Sequence, residues 1–369
     1  MRVAVLIVAF NGRRYLPDCL ASLRAAERRT AESSVVDWTV YVLDNASDDD
    51  TSQLVIEQFP ECRLIRSEKN LGFAEGNNFL WRHARSEEAS WGGFFLLNQD
   101  TVVDEQFLVQ AVEYLRLHPD AGACQALLLL HPETGRINTA GNRLHFLGIG
   151  LPTRYREAAD SKDLCSGEID YPSGAAVLIR SELIGEPGFF EPSLFMYLED
   201  AELGWRLHLL GRPPHVCIDS VVYHKYQFGS TMRSYFYLER NRWWLVATHY
   251  RLATLALLLP ALLLMECGQL VYAVQQNVLR AKFFAIAGFF HPSFLRSLIA
   301  TRRRMQRERV IRDREILTQW SGKLDSPQLS SWLVRHVANP IFAAYRTVLL
   351  RVVRRKGWPS DEQRRNQLT

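Results

Sequence analysis

The sequence predicts an α/β fold built on a mainly parallel sheet with helices on both faces. Two observations carry that expectation. Short apolar runs alternate with helical periods through the N-terminal half, the pattern of βαβ units. The apolar runs also end in polar clusters, the best defined being Phe94-Phe95-Leu96-Leu97-Asn98-Gln99-Asp100-Thr101, and in open α/β sheets ligands bind outside the carboxyl ends of strands.

The elements follow in order. Val3 to Phe10 is a strand, although its apolar run resembles a signal peptide. It is short and meets Asn11-Gly12 instead of a small-residue cleavage site, which keeps the chain in the cytoplasm. Leu16, Cys19, Leu20 and Leu23 give Leu16 to Ala26 a helical period. Thr39 to Leu43 is a strand ending in Asp44-Asn45, and the aspartates after it open a helix over Thr51 to Phe59. Arg63 to Arg66 and Gly93 to Leu97 are strands, with helices at Glu75 to Ala84 and Asp104 to Leu117. Gly122 to Gly174 is less regular, with strands at Ala123 to Leu130 and, beyond it, Ala175 to Ile179. Ser181 to Gly188 connects onward, Glu199 to Leu210 is a helix opening on three acids, and Val216 to His224 is a strand.

Composition is that of a globular protein, 47% hydrophobic and 23% charged, but charge is unevenly spread. From Arg296 onward seventeen Lys and Arg face six Asp and Glu, so this tail carries +11 of a net +4 and the remainder carries −7. Such a tail predicts an anionic partner. The six cysteines are scattered, without zinc spacing or a disulfide framework. Leu252 to Val274 is apolar enough for a borderline membrane span, interrupted by Pro260 and Glu266, and Phe283 to Phe290 is a second apolar piece. Basic residues flank both sides, which argues against a single crossing. The two pieces either lie in the interface or re-enter from it, at an anionic membrane surface, or they pack on the main domain or on a second copy of the chain, as in a homo-oligomer. The basic tail follows these segments, which favours lipid over nucleic acid.

The polar clusters are Phe10-Asn11, Asp44 to Thr51, Asn70 to Asn77, and Asn98-Gln99-Asp100. Any one of them is explained by turn chemistry; four at corresponding strand ends point to a site. Neither a Gly-x-Gly-x-x-Gly fingerprint nor a Gly-x-x-x-x-Gly-Lys-Ser/Thr loop is present, so a bound cation is the other way to neutralise phosphates, and Asp100 is placed to hold one. Glu199 and Asp200 are either dipole-favoured helix starters or a general base. Arg206 either pairs with these acids or reaches a phosphate. His224 is either structural or, beside Asp100, a ligand suited to manganese.

These stretches, taken in sequence, resemble the motifs of the family 2 inverting glycosyltransferases, whose fold is called GT-A, and in particular the bacterial rhamnosyltransferase-like branch, where the metal motif often begins with Asn. The resemblance implies that residues 1–247 form a GT-A catalytic domain, followed by apolar interfacial or re-entrant helices over 248–295 and a basic helical tail over 296–369. It implies a hexosyltransferase that uses Mn2+ or Mg2+ and moves one sugar from a nucleotide-sugar donor, dTDP-rhamnose, to a lipid-linked (polyprenyl pyrophosphate) glycan acceptor at the cytoplasmic face of the membrane. A UDP-sugar donor (galactofuranose, GlcNAc or another hexose) is the alternative within the family. A membrane scaffold with a decayed transferase domain is the alternative of another class, and a sugar-phosphate nucleotidyltransferase lacks its glycine-rich signature.

The same resemblance implies roles. Asp44 bonds a pyrimidine base in a pocket lined by Phe10, Asn11 and Asn45. Asn70, Gly72, Asn77, Asn98, Gln99 and Gly174 line the nucleotide and sugar. Asp100 and His224 hold the metal, Asp200 is the base, and Glu199 orients the donor or acceptor. Two departures stand out: Asn98 replaces the first carboxylate of the usual Asp-x-Asp, and Glu239 stands where processive members carry Gln, which predicts single additions. Arg240 and Arg242 then meet the acceptor pyrophosphate.

Overall fold

A computed structural model describes residues 1–30, 35–225, 231–325 and 331–353. The N-terminal half alternates as expected: β1 (Arg2–Ala9), α1 (Leu16–Thr30), β2 (Asp37–Asp44), α2 (Thr51–Gln58), β3 (Arg63–Arg66), α3 (Gly72–Glu87), β4 (Gly93–Leu97), β5 (Thr101–Val103) and α4 (Phe107–Leu117). Then come β6 (Ala123–Leu130), β7 (Ile137–Thr139), β8 (Asn142–Leu144), β9 (Gly150–Pro152), β10 (Gly167–Glu168), β11 (Ala176–Arg180), α5 (Glu199–Leu209) and β12 (Pro214–His224). The rest is helical: α6 (Met232–His249), α7 (Leu252–Gln275), α8 (Leu279–Phe289), α9 (Pro292–Glu308), α10 (Asp313–Gln319) and α11 (Asn339–Val352).

The main sheet runs β10-β12-β6-β11-β4-β1-β2-β3, with β5 on β12 and β7 on β6. β1 pairs in parallel with both β2 and β4, and β2 with β3, so these strands share one carboxyl edge. Beyond β4 the sheet is mixed, although β6 and β12 pair in parallel over most of their length and parallel pairing predominates in the sheet as a whole. β11 runs antiparallel to β4 and β6, and β5 antiparallel to β12.

Burial on both faces explains why β1 and β4 are continuous apolar runs. Val3, Val5 and Ile7 with Phe95 and Leu97 face α1 and α4, while Ala4 and Leu6 with Phe94 and Leu96 face α3 through Leu80 and Trp81. A further core joins α5 to the C-terminal helices. Trp205 of α5 meets Trp320 edge to face at 3.9 Å, and Leu144, Phe146, Tyr250, Leu317 and Phe342 surround them.

That core ties the three sequence segments together. The boundary expected at 247 falls inside α6 and the one at 295 inside α9. Many arginines of the basic tail are also committed to the protein itself. Arg302 donates to the carbonyls of Ala247 and Tyr250, Arg309 to those of His249 and Ile311, and Arg346 to those of Leu317 and Thr318. Carbonyls at helix ends lack helical partners and carry partial negative charge, so part of the tail's charge is satisfied inside the molecule. The end of the tail, 354–369, lies outside the described residues.

α7 is long and apolar enough to cross a membrane, and α8 and α9 meet at a 64° bend. One face of α7, with Leu258, Ala261, Leu262 and Met265, is buried on the body, while Leu259, Leu263, Val271 and Val274 are exposed. Glu266 of α7 pairs with Arg242 and Lys282.

Because Trp320 is fully buried between α5 and the C-terminal helices, Trp320→Ala is expected to cost about 3–5 kcal/mol. It should lower the midpoint of one cooperative thermal transition. Two separate transitions in the wild type would show that the helices do not share a core with the sheet.

Candidate active site

The strand-end clusters are joined by hydrogen bonds into one continuous edge. Gln99 grips the backbone of Phe10 at both ends: its Oε1 accepts from Phe10 N at 3.0 Å and its Nε2 donates to Phe10 O at 3.1 Å. Asn11, left-handed at φ 49°, accepts at Oδ1 from Asp48 N, and its own N donates to Ser47 Oγ. Ser47 N in turn donates to Asp44 Oδ1 at 2.9 Å, and Ser52 donates to Asp44 Oδ2. Asn45 Oδ1 accepts from Leu71 N, while its Nδ2 donates to Asn70 Oδ1 and Gly72 O. The ends of β1, β2 and β4 and the start of α3 are thereby locked together. Phe10 remains open, 38% exposed, beside the buried Asp44.

Asp100 and His224 are brought together as the sequence suggested. β5 pairs β12 with Thr101 opposite His224, and Asp100 O accepts from Lys225 N. His224 Nε2 lies 3.4 Å from Asp100 Oδ1, and Asn138 Oδ1 contacts the other ring nitrogen at 3.2 Å. Burial works to raise the Asp100 carboxyl, but the hydrogen bond and charge of His224 outweigh it and hold it below the ordinary carboxylate value. No group of three His, Cys, Asp or Glu suited to a metal occurs among the described residues. One carboxylate and one imidazole at this separation still fit two adjacent ligands of an octahedral ion, which lie about 3 Å apart when each is about 2.1 Å from the metal. An ion held this way would need its remaining ligands from oxygen donors outside the protein, and Asn138 Oδ1 against the other ring nitrogen would orient the imidazole toward it.

Asp200 sits next to the same edge. Its Oδ2 accepts from Gly174 N at 3.4 Å and its Oδ1 from Ala201 N at 2.8 Å. Ala175, beside Gly174, accepts from Asn98 N at 2.9 Å, which links the acid to the Asn98-Gln99-Asp100 turn. A side chain at Gly174 would meet the Phe73 ring at 3.0 Å, so the backbone approaches closely there. Burial pushes Asp200 up to about 6. Glu199 is raised well above its usual value, first by burial and then by the charge of Asp200, and its Oε2 has no hydrogen-bond partner. Two adjacent acids held apart in this way suit a base that is ionised near neutral pH beside a neutral neighbour.

The loop that delivers these acids is strained and pinned. Phe195, Tyr197 and Leu198 are left-handed, at φ 66°, 66° and 64°. Asn241 of α6, fully buried, donates from Nδ2 to the carbonyls of Leu194, Met196 and Tyr197 at 3.0, 3.0 and 2.8 Å. Phe195 O accepts from Phe73 N and Ala74 N, closing the first turn of α3. A Cβ at Gly72, at φ 75°, would stand 2.6 Å from that carbonyl.

Four residues named from the sequence have partners inside the protein. Arg206 takes the first of its two expected readings, pairing with an acid: it is buried, with its Nε 3.1 Å from Glu202 Oε1 and its Nη2 donating to Phe189 O. Arg242 is buried among Glu239, Glu266 and Lys282. Arg240 donates to the carbonyls of Ser193 and Leu194 at 2.9 and 3.0 Å, so it supports the loop. Asn77 is buried in α3 and donates to Phe73 O, within its own helix. Asn241, Asn138 and the Phe195 carbonyl went unnamed in the sequence because nothing local marks them; each acts on a residue far away in the chain.

Comparison with known proteins agrees with this geometry. Residues 4–182 match the family model described as "Glycosyl transferase family 2". An N-acetylglucosaminyl-diphospho-decaprenol L-rhamnosyltransferase of Mycobacterium tuberculosis is 26% identical over 225 residues, covering 56% of this chain and 70% of the relative. A poly-beta-1,6-N-acetyl-D-glucosamine synthase of Staphylococcus epidermidis is 21% identical over 209 residues, 56% of this chain but only 46% of that relative. Among solved structures, S. aureus TarS 1-349 in complex with UDP superposes with a TM-score of 0.51 at 15% identity, covering 100% of this chain and 92% of that one. GalNAc-T7 with UDP, GalNAc and Mn2+ also gives 0.51 at 15% identity, covering 68% of this chain and 48% of that one. The fold is therefore GT-A.

Asn241→Ala removes the donor shared by three loop carbonyls. It is expected to open residues 192–198 to limited proteolysis at a protease concentration that leaves the wild type intact. An unchanged digestion pattern would show that the loop holds itself.

Proposed function

We propose, from the premise that this chain carries a family 2 glycosyltransferase domain, that it moves one rhamnosyl unit from dTDP-rhamnose to a polyprenyl-diphosphate-linked glycan at the cytoplasmic face of a membrane. The observation that carries the reading is the placement of the raised Asp200 carboxyl at the same sheet edge as the Asp100–His224 pair. The Mycobacterium tuberculosis relative supports rhamnose and a decaprenyl carrier.

The roles in this reading are those the family resemblance implies, and the geometry supports them. Asp44, buried and held by Ser47 and Ser52, accepts from the ring N–H of the pyrimidine, with Phe10 against the base. Asn45, Asn70 and Gly72 shape the wall beside it, and Gly174 lets the sugar approach the backbone. Asp100 and His224 would hold Mn2+ or Mg2+, which would supply charge neutralisation for the diphosphate leaving group. Asp200 takes the proton from the acceptor hydroxyl as its oxygen bonds to the anomeric carbon. The bond from that carbon to the diphosphate breaks on the opposite side, and configuration inverts. Glu199 fixes the neighbouring end of the acceptor. Glu239, where processive members carry Gln, is locked in an ion cluster with Arg242 and Lys282, in line with single additions. The exposed apolar faces of α7 and α8 rest at the membrane interface, which leaves both basic flanks on one side.

A panel of dTDP-rhamnose, UDP-GlcNAc and UDP-galactofuranose, with a prenyl-diphospho-GlcNAc acceptor and Mn2+, Mg2+ or EDTA, tests this by nucleoside diphosphate release. The expected result is metal-dependent turnover of dTDP-rhamnose, lowered by about 10²–10⁴-fold in Asp200→Asn. Turnover of a UDP-sugar alone would move the donor assignment, and full activity of Asp200→Asn would remove the base.

A further inference from the structure

An open apolar groove of about 560 Å³ lies between the start of α6 and α8. We propose that it holds the first isoprene units of a prenyl diphosphate, with Arg233 on the diphosphate. The proposal rests on the lipid-linked acceptor inferred above and gives that acceptor a place on the protein.

Met232, Phe236, Ala281, Phe284 and Ala287 line the groove, and Arg233 and His291 are its cationic or titratable members. Its volume is that of sites that enclose small ligands, about 300–1,000 Å³. The floor is fixed, because Gly288 packs on the Phe236 ring, where a Cβ would stand 3.2 Å away.

Two features select the occupant. The first is continuity with the reacting centre. Tyr237, on the groove wall, stacks on Phe195 at 5.2 Å, and the Arg233 guanidinium lies 5.6 Å from the same ring. Phe195 belongs to the pinned loop that leads within five residues to Glu199 and Asp200. An anionic group at Arg233 therefore lies beside the loop that presents the base. Arg233 is exposed and makes no ion pair among the described residues, so it is free to pair with a diphosphate. The second feature is the far side. Phe283, Phe284 and Phe290 are exposed by 61%, 65% and 64%, and they carry the apolar surface outward along α8. A molecule with an anionic head at the loop and a long branched hydrocarbon tail matches both ends. A polar sugar chain matches neither wall, and a diacyl lipid brings two tails to a groove bounded by one helix on each side.

The test uses the whole protein in detergent micelles, with its donor site saturated by dTDP. Binding of farnesyl diphosphate and of inorganic diphosphate is measured by calorimetry for the wild type, Ala287→Trp and Arg233→Glu. Ala287 is exposed, so a larger side chain there fills the groove without entering the core. The expected result is that the wild type binds farnesyl diphosphate at least tenfold more tightly than inorganic diphosphate. Ala287→Trp should abolish that tenfold preference while dTDP affinity stays within twofold, and Arg233→Glu should weaken both diphosphates. Unchanged farnesyl diphosphate binding in Ala287→Trp overturns the proposal. So does an effect of Ala287→Trp confined to adsorption on phosphatidylcholine vesicles, which would make the groove a membrane contact only. Groove-dependent binding without sugar transfer would remove the transferase reading and leave the groove. Transfer to a prenyl acceptor that Ala287→Trp leaves unchanged would do the reverse.

Discussion

The site depends on one constraint: a short loop held in a conformation that its residues do not favour. Phe195, Tyr197 and Leu198 all have positive φ, at roughly 1–3 kcal/mol each for side chains with a Cβ. The hydrogen bonds from Asn241 and Arg240 to the loop carbonyls offset that strain. Two things follow from one geometry. The Phe195 carbonyl turns toward α3 and caps its first turn, and the chain enters α5 with Glu199 and Asp200 at its start. The start of α3 and the two acids of α5 are thus set by the same few residues, and α6 sets them both.

The electrostatics depend on burial. Asp100 and Asp200 are both removed from water, yet they move in opposite directions. Asp100 has an imidazole facing it and is held down. Asp200 has only backbone N–H groups and is raised. One carboxylate is thereby kept anionic, as a cation ligand must be, and the other takes a proton more readily than an ordinary aspartate, as the proposed base must. The sign of the cost is clear as well. An acid raised in the folded state binds its proton more tightly there than in the unfolded chain, so folding stability falls as pH rises through the interval up to about 6. Part of the protein's stability is given up at neutral pH to keep Asp200 ionised.

Much of this was legible in the sequence, for a local reason. The ends of β1, β2 and β4 announce themselves because apolar runs stop on Asn11, Asp44 and Asn98-Gln99-Asp100. The Asp100–His224 pairing was legible too, since both close strand-like runs. The arginines were not. Arg240 and Arg242 read as phosphate ligands, and Arg206 as either that or a partner of the helix acids, because a sequence shows charge and not its partner. Each is instead committed to a carboxylate or to carbonyls, which lie up to 47 residues away for Arg240 and Ser193. Part of the basic tail shows the same thing, since Arg302, Arg309 and Arg346 satisfy carbonyls of the protein itself. The mixed half of the sheet was illegible because β5, β7 and β10 are only two or three residues long, below the length at which a period can be read.

The central claim is that Asp200 is the proton acceptor and that burial tunes it. The pH dependence of kcat/KM for sugar transfer tests that most directly. An acid limb near pH 6, with the rate falling tenfold per pH unit below it, is the predicted result. A rate that holds level down to about pH 4, the range of an ordinary aspartate, would contradict it.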